Sequence, residues 1–504
     1  MTTNNGFLAK VFRMKTPEEL MASANKSGLK KTLGAWDLII LGVGAVIGTG
    51  IFTVSGAAIA GEAASGPSFM LSLVIAGIAC IFSAFCYAEF ASMMPVAGSA
   101  YTYTFAIFGQ CAAWLMGWVL MLEYAIGNIA VAIALSGYWF EFLNGFKQYL
   151  PAWTYNQDLW IYNLKIFGNI PFLINIPAIL VIAFITWLLY KGISESTKAS
   201  AIMVFIKLAV IVIFLVGGFF HVDAANWHPF MPNGWNGVFQ GAFLIFFAYI
   251  GFDAVSTAAE ETKNPQRNMP IGIIGTLLIC ILVYVAVGAV LTGMFPFEAL
   301  NNNNSFIVAP IAYALRAIGK DFAALLVCVG ALAGLFSVLL VLQLGTTRVL
   351  FSMSRDNLLP SVFAKVHPKF QTPHIITVVV GLFTILGTFF LDLEASANLC
   401  NIGTFMAFIV VSIGVIILRY TDPKRQRAFK IPFMPVIPVL GILSCLFIIY
   451  KGIPLNTFIA FAIWVVLGLG IYFMYSYKNA NLDLDEKVLA EQAIAKTKQE
   501  ELNK

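Results

Sequence analysis

Three charged residues stand in runs too apolar to offer them water. Glu123 ends the stretch Trp-Val-Leu-Met-Leu-Glu before Tyr124, Lys207 lies within the run 198–220, and Asp253 closes Phe246-Phe247-Ala248-Tyr249-Ile250-Gly251-Phe252-Asp253. An ionisable group at bilayer depth is expensive and marks a functional or tightly partnered place. Glycine is the second anomaly, with Gly42, Gly44, Gly48 and Gly50 all inside the run Gly42–Phe52. Close helix packing is an alternative reading of Gly42 and Gly44. Two glycines around a threonine, Gly48-Thr49-Gly50, predict a break, because that is where helix stability is lowest. Asp253 is expected to cap a restarting half-helix by accepting backbone N–H bonds, with direct ligand contact as the alternative.

Breaks at this depth have a chemistry of their own. Unwound backbone leaves N–H and C=O groups that hydrocarbon cannot satisfy. The start of a half-helix offers free N–H groups and partial positive charge, suited to a carboxylate. The end of an opposing half-helix offers carbonyls, suited to an ammonium. A zwitterionic α-amino acid answers both. The expected site therefore has Gly48 at the break, with the N–H groups of Thr49, Gly50 and Ile51 on the carboxylate. The carbonyls of Ile47, Phe247, Ala248 and Ile250 are expected on the ammonium.

The elements that hold these groups follow from composition. Of 504 residues, 60% are hydrophobic and 11% charged, whereas a soluble domain has about a quarter of its residues charged. Lipid is the solvent that fits, and the chain reads as an all-α polytopic membrane protein. A net charge of +5 gives no support for nucleic-acid binding. Residues 1–31 are polar and basic, without the apolar core of a signal peptide. All seven cysteines lie in apolar stretches, spaced neither for a metal nor for a disulfide framework. His221 and His228 are far from His367 and His374, so no metal or other cofactor is expected. No Ser/His/Asp, HExxH or phosphate-loop arrangement suggests an enzyme, and no signalling domain suggests a sensor. A channel would more naturally be a symmetric oligomer.

A span takes about 20 apolar residues, which predicts twelve: 36–59, 67–90, 111–143, 171–190, 198–220, 237–260, 270–294, 322–353, 375–391, 396–419, 432–451 and 454–477. The third and eighth are over-long and are expected to tilt or project. The stretch 91–110, with Tyr101, Tyr103 and Phe108, reads as a partly buried interfacial helix. Lys191, Lys198, Lys263, Arg267, Arg355, Lys365, Lys369, Lys424, Arg425, Arg427 and Lys430 fall on one side, with the basic N-terminal tail. Far fewer cations, chiefly Lys147, Lys165, Arg316, Lys320 and Lys451, fall on the other. That asymmetry puts both termini in the cytoplasm.

Spans one and six occupy matching places in opposite orientation, which points to an inverted five-plus-five repeat with its site at the midplane. The expected layout is an N-terminal tail 1–35, a first repeat 36–220, a second repeat 237–419, two further helices in 432–477 and a C-terminal tail 478–504.

At these residues the chain resembles the amino acid–polyamine–organocation superfamily. Within it, the chain is similar to the cationic amino acid transporter family and its bacterial proton-coupled relatives. The resembling segments are Gly42–Phe52, Trp118–Tyr124, Ile206–Val210, Phe247–Thr257, Glu260–Pro270, Arg348–Pro360 and Asn401–Arg419, in order from the first span to the tenth. The resemblance implies a LeuT-type fold and amino acid uptake by alternating access, proton-coupled in bacterial members, across the cell membrane. It places a lysine at Lys207 reaching toward the first and eighth helices, where sodium-coupled relatives hold an ion. Lys207 is thereby the expected proton-coupling group. Glu123 would face the side chain of a cationic substrate, although relatives with this acid also carry neutral amino acids. Phe247 and Tyr249 are gate or wall candidates. Leu335, Phe336 and Ser337 would line the side-chain pocket.

Glu89, Glu260, Glu261, Arg267, Arg348, Arg355 and Asp356, at the inner ends of their spans, read first as exposed interface charge, with salt bridges that close the cytoplasmic path as the alternative. The partners are then an amino acid, a proton and the lipid bilayer. The tilted third span leaves surface for a small accessory membrane subunit, and oligomeric state stays open. Exchange of an amino acid for its amine is the second transport mode, less favoured because exchange needs no proton carrier.

Overall fold

The computed structural model describes residues 11–14, 31–61, 64–95, 99–166, 170–192, 197–301 and 303–479. Most of the N-terminal tail, the tail after Asn479, and the side chains of Lys165, Lys198 and Glu260 lie outside the described residues.

Apolar sequence becomes helix wherever the run is long enough to bond its own backbone, as hydrocarbon demands. The main helices are α1 (Ala35–Val46), α2 (Ser55–Ala60), α3 (Phe69–Met93), α4 (Ser99–Phe108), α5 (Gln110–Asn144), α6 (Ile176–Tyr190) and α7 (Thr197–Phe219). They continue with α8 (Gly234–Ile245), α9 (Pro265–Met294), α10 (Asp321–Arg355), α11 (His374–Gly387), α12 (Leu393–Thr421), α13 (Val436–Gly452) and α14 (Leu455–Ile471). Among the described residues seven helices are long and apolar enough to cross a membrane, or eight if α1 and the Gly50–Ala60 segment form one bent span. Three shorter apolar helices, α6, α11 and α13, fall below that length. The helices α5 and α10 each run 35 residues, in keeping with the over-long third and eighth runs.

Local chemistry sets several starts. Asn175 accepts the Ala178 N–H at 3.1 Å to open α6. Asp392 accepts that of Ala395 at 2.8 Å to open α12. At the core, α5 packs on α10 and α12, α9 on α3 and α1, and α7 on α10.

The fourth apolar run differs from expectation at its start. Residues 171–175 are not helical: Ile170–Asn175 pairs antiparallel with Ile161–Ile166, with Tyr162 opposite Ile174 and Leu164 opposite Phe172. Pro171 and the β-branched isoleucines suit an edge strand, and Phe172 stacks on Phe389 with centroids 4.8 Å apart. The stretch around 91–110 does form a helix, α4, and its first residues from Ser99 to Phe105 are buried.

Both ends of the bundle are laced. Where α1 begins, the N–H groups of Thr32 and Leu33 donate to the Glu261 carbonyl at 2.8 and 3.0 Å, and Lys263 donates to Leu33 at 2.8 Å. Glu89 and Asp356 take partners outside the group named for this end. Glu89 takes Arg419 in a two-point salt bridge at 2.6 and 2.8 Å, with Arg427 at 3.4 Å. Asp356 accepts the Tyr101 hydroxyl at 2.6 Å. Among the described residues Arg267, Arg348 and Arg355 enter no salt bridge. At the opposite end Glu141 pairs with Arg316. There the short helix Asn304–Val308 covers α2 so closely that a Cβ on Gly56 would lie 2.6 Å from the Ile307 carbonyl oxygen.

Candidate functional site

The first break falls where the glycines put it. Helix α1 stops at Val46, Ile47 turns extended at ψ 103°, and a π-turn over Gly50–Val54 leads into α2. The two halves are bent by 40°. Ile47 N–H bonds back to Val43 at 2.9 Å, and the next backward bond along the chain is Phe52 to Gly48 at 3.2 Å. Among the described residues the N–H groups of Gly48, Thr49, Gly50 and Ile51 therefore open the second half with no carbonyl partner. The hydroxyls of Thr49 and Thr53 are buried beside them, also without a partner among the described residues.

The second break is built differently. Helix α8 tightens into a 3-10 turn over Phe246–Tyr249, Ile250 is extended at ψ 138°, and Gly251 has φ +111°. That angle strains any L side chain, and a Cβ there would also lie 3.1 Å from the Ala45 oxygen. The breaks touch each other: a Cβ on Gly50 would come within 2.2 Å of the Ala248 Cα. Only glycine fits at that crossing.

Carbonyls around the breaks are largely taken. The Tyr284 hydroxyl on α9 sits 2.9 Å from both the Val46 and the Ala248 oxygens, so one proton serves two half-helices. Asn401 on α12 donates to Phe243 at 2.6 Å and Leu244 at 3.2 Å. Phe247 O receives Ile250 N–H at 3.3 Å. Of the four carbonyls expected to bind an ammonium, Phe247 and Ala248 thus already hold a donor, and Ile47 and Ile250 have none recorded among the described residues.

Asp253 departs from expectation. It stands at the N-cap position of the short helix Ala254–Thr257 but makes no side-chain cap bond. Its carboxylate instead accepts the Tyr124 hydroxyl at 2.9 Å. The physical reason is competition: the Ser256 N–H already goes to the Asp253 carbonyl at 2.8 Å, and a four-residue helix presents few other orphan donors.

Lys207 is 1% exposed and reaches its Nζ to within 2.8 Å of the Gly44 oxygen on α1. Its stem lies over Gly334 of α10, whose missing Cβ would stand 2.9 Å from Cε. The lysine therefore ties α7, α10 and the first broken helix together. Glu123, 1% exposed, has neither carboxylate oxygen hydrogen-bonded among the described residues. It faces α12 at Gly403, where a Cβ would meet Glu123 Cβ at 3.6 Å. Asp253 lies within electrostatic range of it. On α10, Ser337 is buried, while Val338 is the residue that meets the break, 2.8 Å from a Cβ on Gly48. Phe336 turns away to pack on Phe184. Phe247 is 7% exposed. Tyr249 is a core residue, donating to Leu73 at 2.9 Å and packing on Tyr284.

Sequence reading thus passed over Tyr284, Asn401, Tyr124 and Val338. The first three are polar groups inside apolar spans, the same signal that singled out Glu123. Among the described residues no group of three or more His, Cys, Asp or Glu side chains could hold a metal.

The chain matches the family model described as amino acid permease over residues 33–479. It is 44% identical over 474 residues to the branched-chain amino acid permease BcaP of Bacillus subtilis (strain 168), covering 94% of this chain and 99% of that one. The methylthioribose transporter of the same organism is 42% identical over 477 residues, 94% of this chain and 100% of the relative. The chloroplastic cationic amino acid transporter 9 of Arabidopsis thaliana is 37% identical over 429 residues, 84% and 73% of the two chains. Like these permeases and transporters, the protein is a helical membrane transporter and not an enzyme. The chain belongs to the amino acid permease family, within the amino acid–polyamine–organocation superfamily.

Proposed function

We propose that the protein is a secondary active transporter that takes up cationic or neutral L-amino acids together with protons, by alternating access. The observation that carries this is the first break. Four consecutive N–H groups, Gly48 to Ile51, and the Thr49 hydroxyl stand in a buried place without partners among the described residues. Each unmet buried polar group costs about 1–3 kcal/mol, so a set of converging donors is sustained by a ligand that accepts from all of them. A carboxylate does. The Ile47 and Ile250 carbonyls then take the ammonium, Ser337 and Phe247 flank the side chain, and Glu123 supplies the charge that selects a cationic one. Lys207 carries the proton: neutral, it loses the charge that strengthens its bond to the Gly44 carbonyl, and the weaker tie lets the first half-helix move.

The eight long spans, the three shorter apolar helices and the interrupted segment 234–261 together make the twelve spans of this reading. Breaks at Gly48 and Gly251, five helices apart, support an inverted repeat of 36–220 and 237–419, with 432–477 outside it. Both tails lie in the cytoplasm of a cell-membrane protein, by the distribution of Lys and Arg. A small accessory subunit would sit against α5.

The relatives favour different side chains: branched-chain in two named BcaP at 44% and 34% identity, cationic in the plant proteins. A second reading comes from the methylthioribose transporter. A neutral thiosugar would use the open donors through its hydroxyls and leave Glu123 without a role. Uptake of labelled arginine, lysine, leucine, alanine and methylthioribose into proteoliposomes, with and without an inward proton gradient, separates the two. Gradient-stimulated uptake of at least one amino acid supports transport as proposed, and uptake of the thiosugar alone overturns it. Stimulation by internal amino acid or amine, with no effect of the gradient, would indicate exchange.

A further inference from the structure

A groove of about 600 Å³ opens on the outside of the bundle, away from the breaks, between the first turns of α9 and the loop that follows α12. Pro270, Ile271, Ile274 and Phe429 wall it, and Gln266 and Arg267 stand at its edge. Ile271 is 43% exposed on a helix apolar enough to span a bilayer, so the groove opens sideways, to lipid. Its charge is the telling part. Other arginines of this corner are already matched: Arg419 and Arg427 to Glu89, and Arg425 to Asp422 at 2.8 Å. The Arg425 hydrogen bond holds the Asp422 carboxyl below its ordinary range. Arg267 and Lys430, the residue after Phe429, are exposed and have no acidic partner among the described residues.

Helix α9 also starts unguarded. Its N-cap residue Asn264 makes no cap bond, and the Asn268 amide turns back to the Lys263 carbonyl. The N–H groups of Arg267 and Asn268 return to the Asn264 oxygen, which leaves the Gln266 N–H and the positive end of a 30-residue helix at the groove.

We infer that this groove binds an anionic phospholipid. An acyl chain lies along Ile271, Ile274 and Phe429, and the phosphate is held by Arg267, Lys430 and the Gln266 N–H. An apolar slot with Arg267 at its edge, and Lys430 next in the chain to the wall residue Phe429, suits a lipid better than a free anion, which would leave the slot unfilled. The inference rests on α9 spanning the bilayer and not on which substrate is carried.

The test is native mass spectrometry of the full chain titrated with phosphatidylglycerol or phosphatidylcholine, with matched thermal melts as a folding control. Wild type should retain phosphatidylglycerol over phosphatidylcholine. The double reversal Arg267→Glu/Lys430→Glu should reduce that retention at least about tenfold, since each surface cation contributes on the order of fivefold. Arg267→Lys/Lys430→Arg should keep it, as should Lys365→Glu, an exposed cation outside the groove. Equal retention of the two lipids by wild type would overturn the site. So would an unchanged preference in the double reversal, a loss as large in Lys365→Glu, or glycerol 1-phosphate binding as well as the lipid.

Discussion

The two interrupted helices are not equivalent. At the first, between α1 and α2, three carbonyls are engaged, the Ile47 carbonyl has no partner among the described residues, and the donors are open. Gly44 holds Lys207, Val46 holds Tyr284 and Phe52 holds Tyr138, while the N–H groups of Gly48 to Ile51 have no partner among the described residues. At the second, between α8 and Gly251, neighbouring helices brace several carbonyls and the Asp253 carboxylate, while the N–H groups of Gly251, Phe252 and Asp253 show no partner among the described residues. Asn401 holds Phe243 and Leu244, Tyr284 holds Ala248, and Tyr124 holds Asp253. We read the first break as the receptor, because the buried Thr49 and Thr53 hydroxyls stand unpartnered among the described residues beside its open donors, and the second, with more of its carbonyls held, as the scaffold. The receptor's unmet chemistry is that of an anion site.

Removing the lysine that anchors the receptor should have the largest effect. Lys207→Ala should reduce gradient-driven uptake to background in proteoliposomes while substrate binding, measured without a gradient, persists. Retained gradient-driven uptake would assign proton coupling elsewhere, with Glu123 the next candidate. Gly50→Ala should come second. The added methyl would occupy space held by the Ala248 backbone, and overpacking of this kind costs about 1–3 kcal/mol, read as a lowered melting temperature and at least tenfold weaker uptake. Because the Ala248 Cα itself is within 2.2 Å, Ala248→Gly should not rescue it.

Glu123→Gln sharpens the substrate side. It should weaken uptake of arginine and lysine by about tenfold, the scale of one lost charge-assisted contact, and change leucine uptake little. An equal loss for all substrates would make Glu123 a structural group. The smallest effect is expected at the scaffold. Tyr284→Phe leaves two buried carbonyls without their shared donor and should lower stability by about 1–3 kcal/mol, with substrate preference unaltered. A changed preference would mean that the second break touches the ligand as directly as the first.

Local rules made the receptor readable and left the scaffold hidden. Gly48-Thr49-Gly50 announces a break through its own helix propensity, and Lys207 and Glu123 announce themselves by charge in an apolar run. No such rule says which helix supplies the hydroxyl that holds Val46 and Ala248, so Tyr284, on α9, looked like one more aromatic. Asp253 shows the limit of a local rule directly. Its position suits an N-cap, but the Tyr124 hydroxyl from α5 takes the carboxylate instead. The hairpin before α6 was hidden for a related reason: Ile170-Pro-Phe-Leu-Ile174 is as apolar as the helix it precedes, and hydrophobicity alone does not separate strand from span.

Equilibrium binding tests the open donors most directly. Each amino acid that is transported should be compared with its decarboxylated amine and its N-acetyl derivative on the purified protein. The amine, lacking an acceptor for Gly48 to Ile51, should bind at least about a hundredfold more weakly, a difference of about 2.7 kcal/mol. The N-acetyl form should lose less, because only the Ile47 and Ile250 carbonyls await the ammonium. An amine that binds as tightly as its parent would contradict the account.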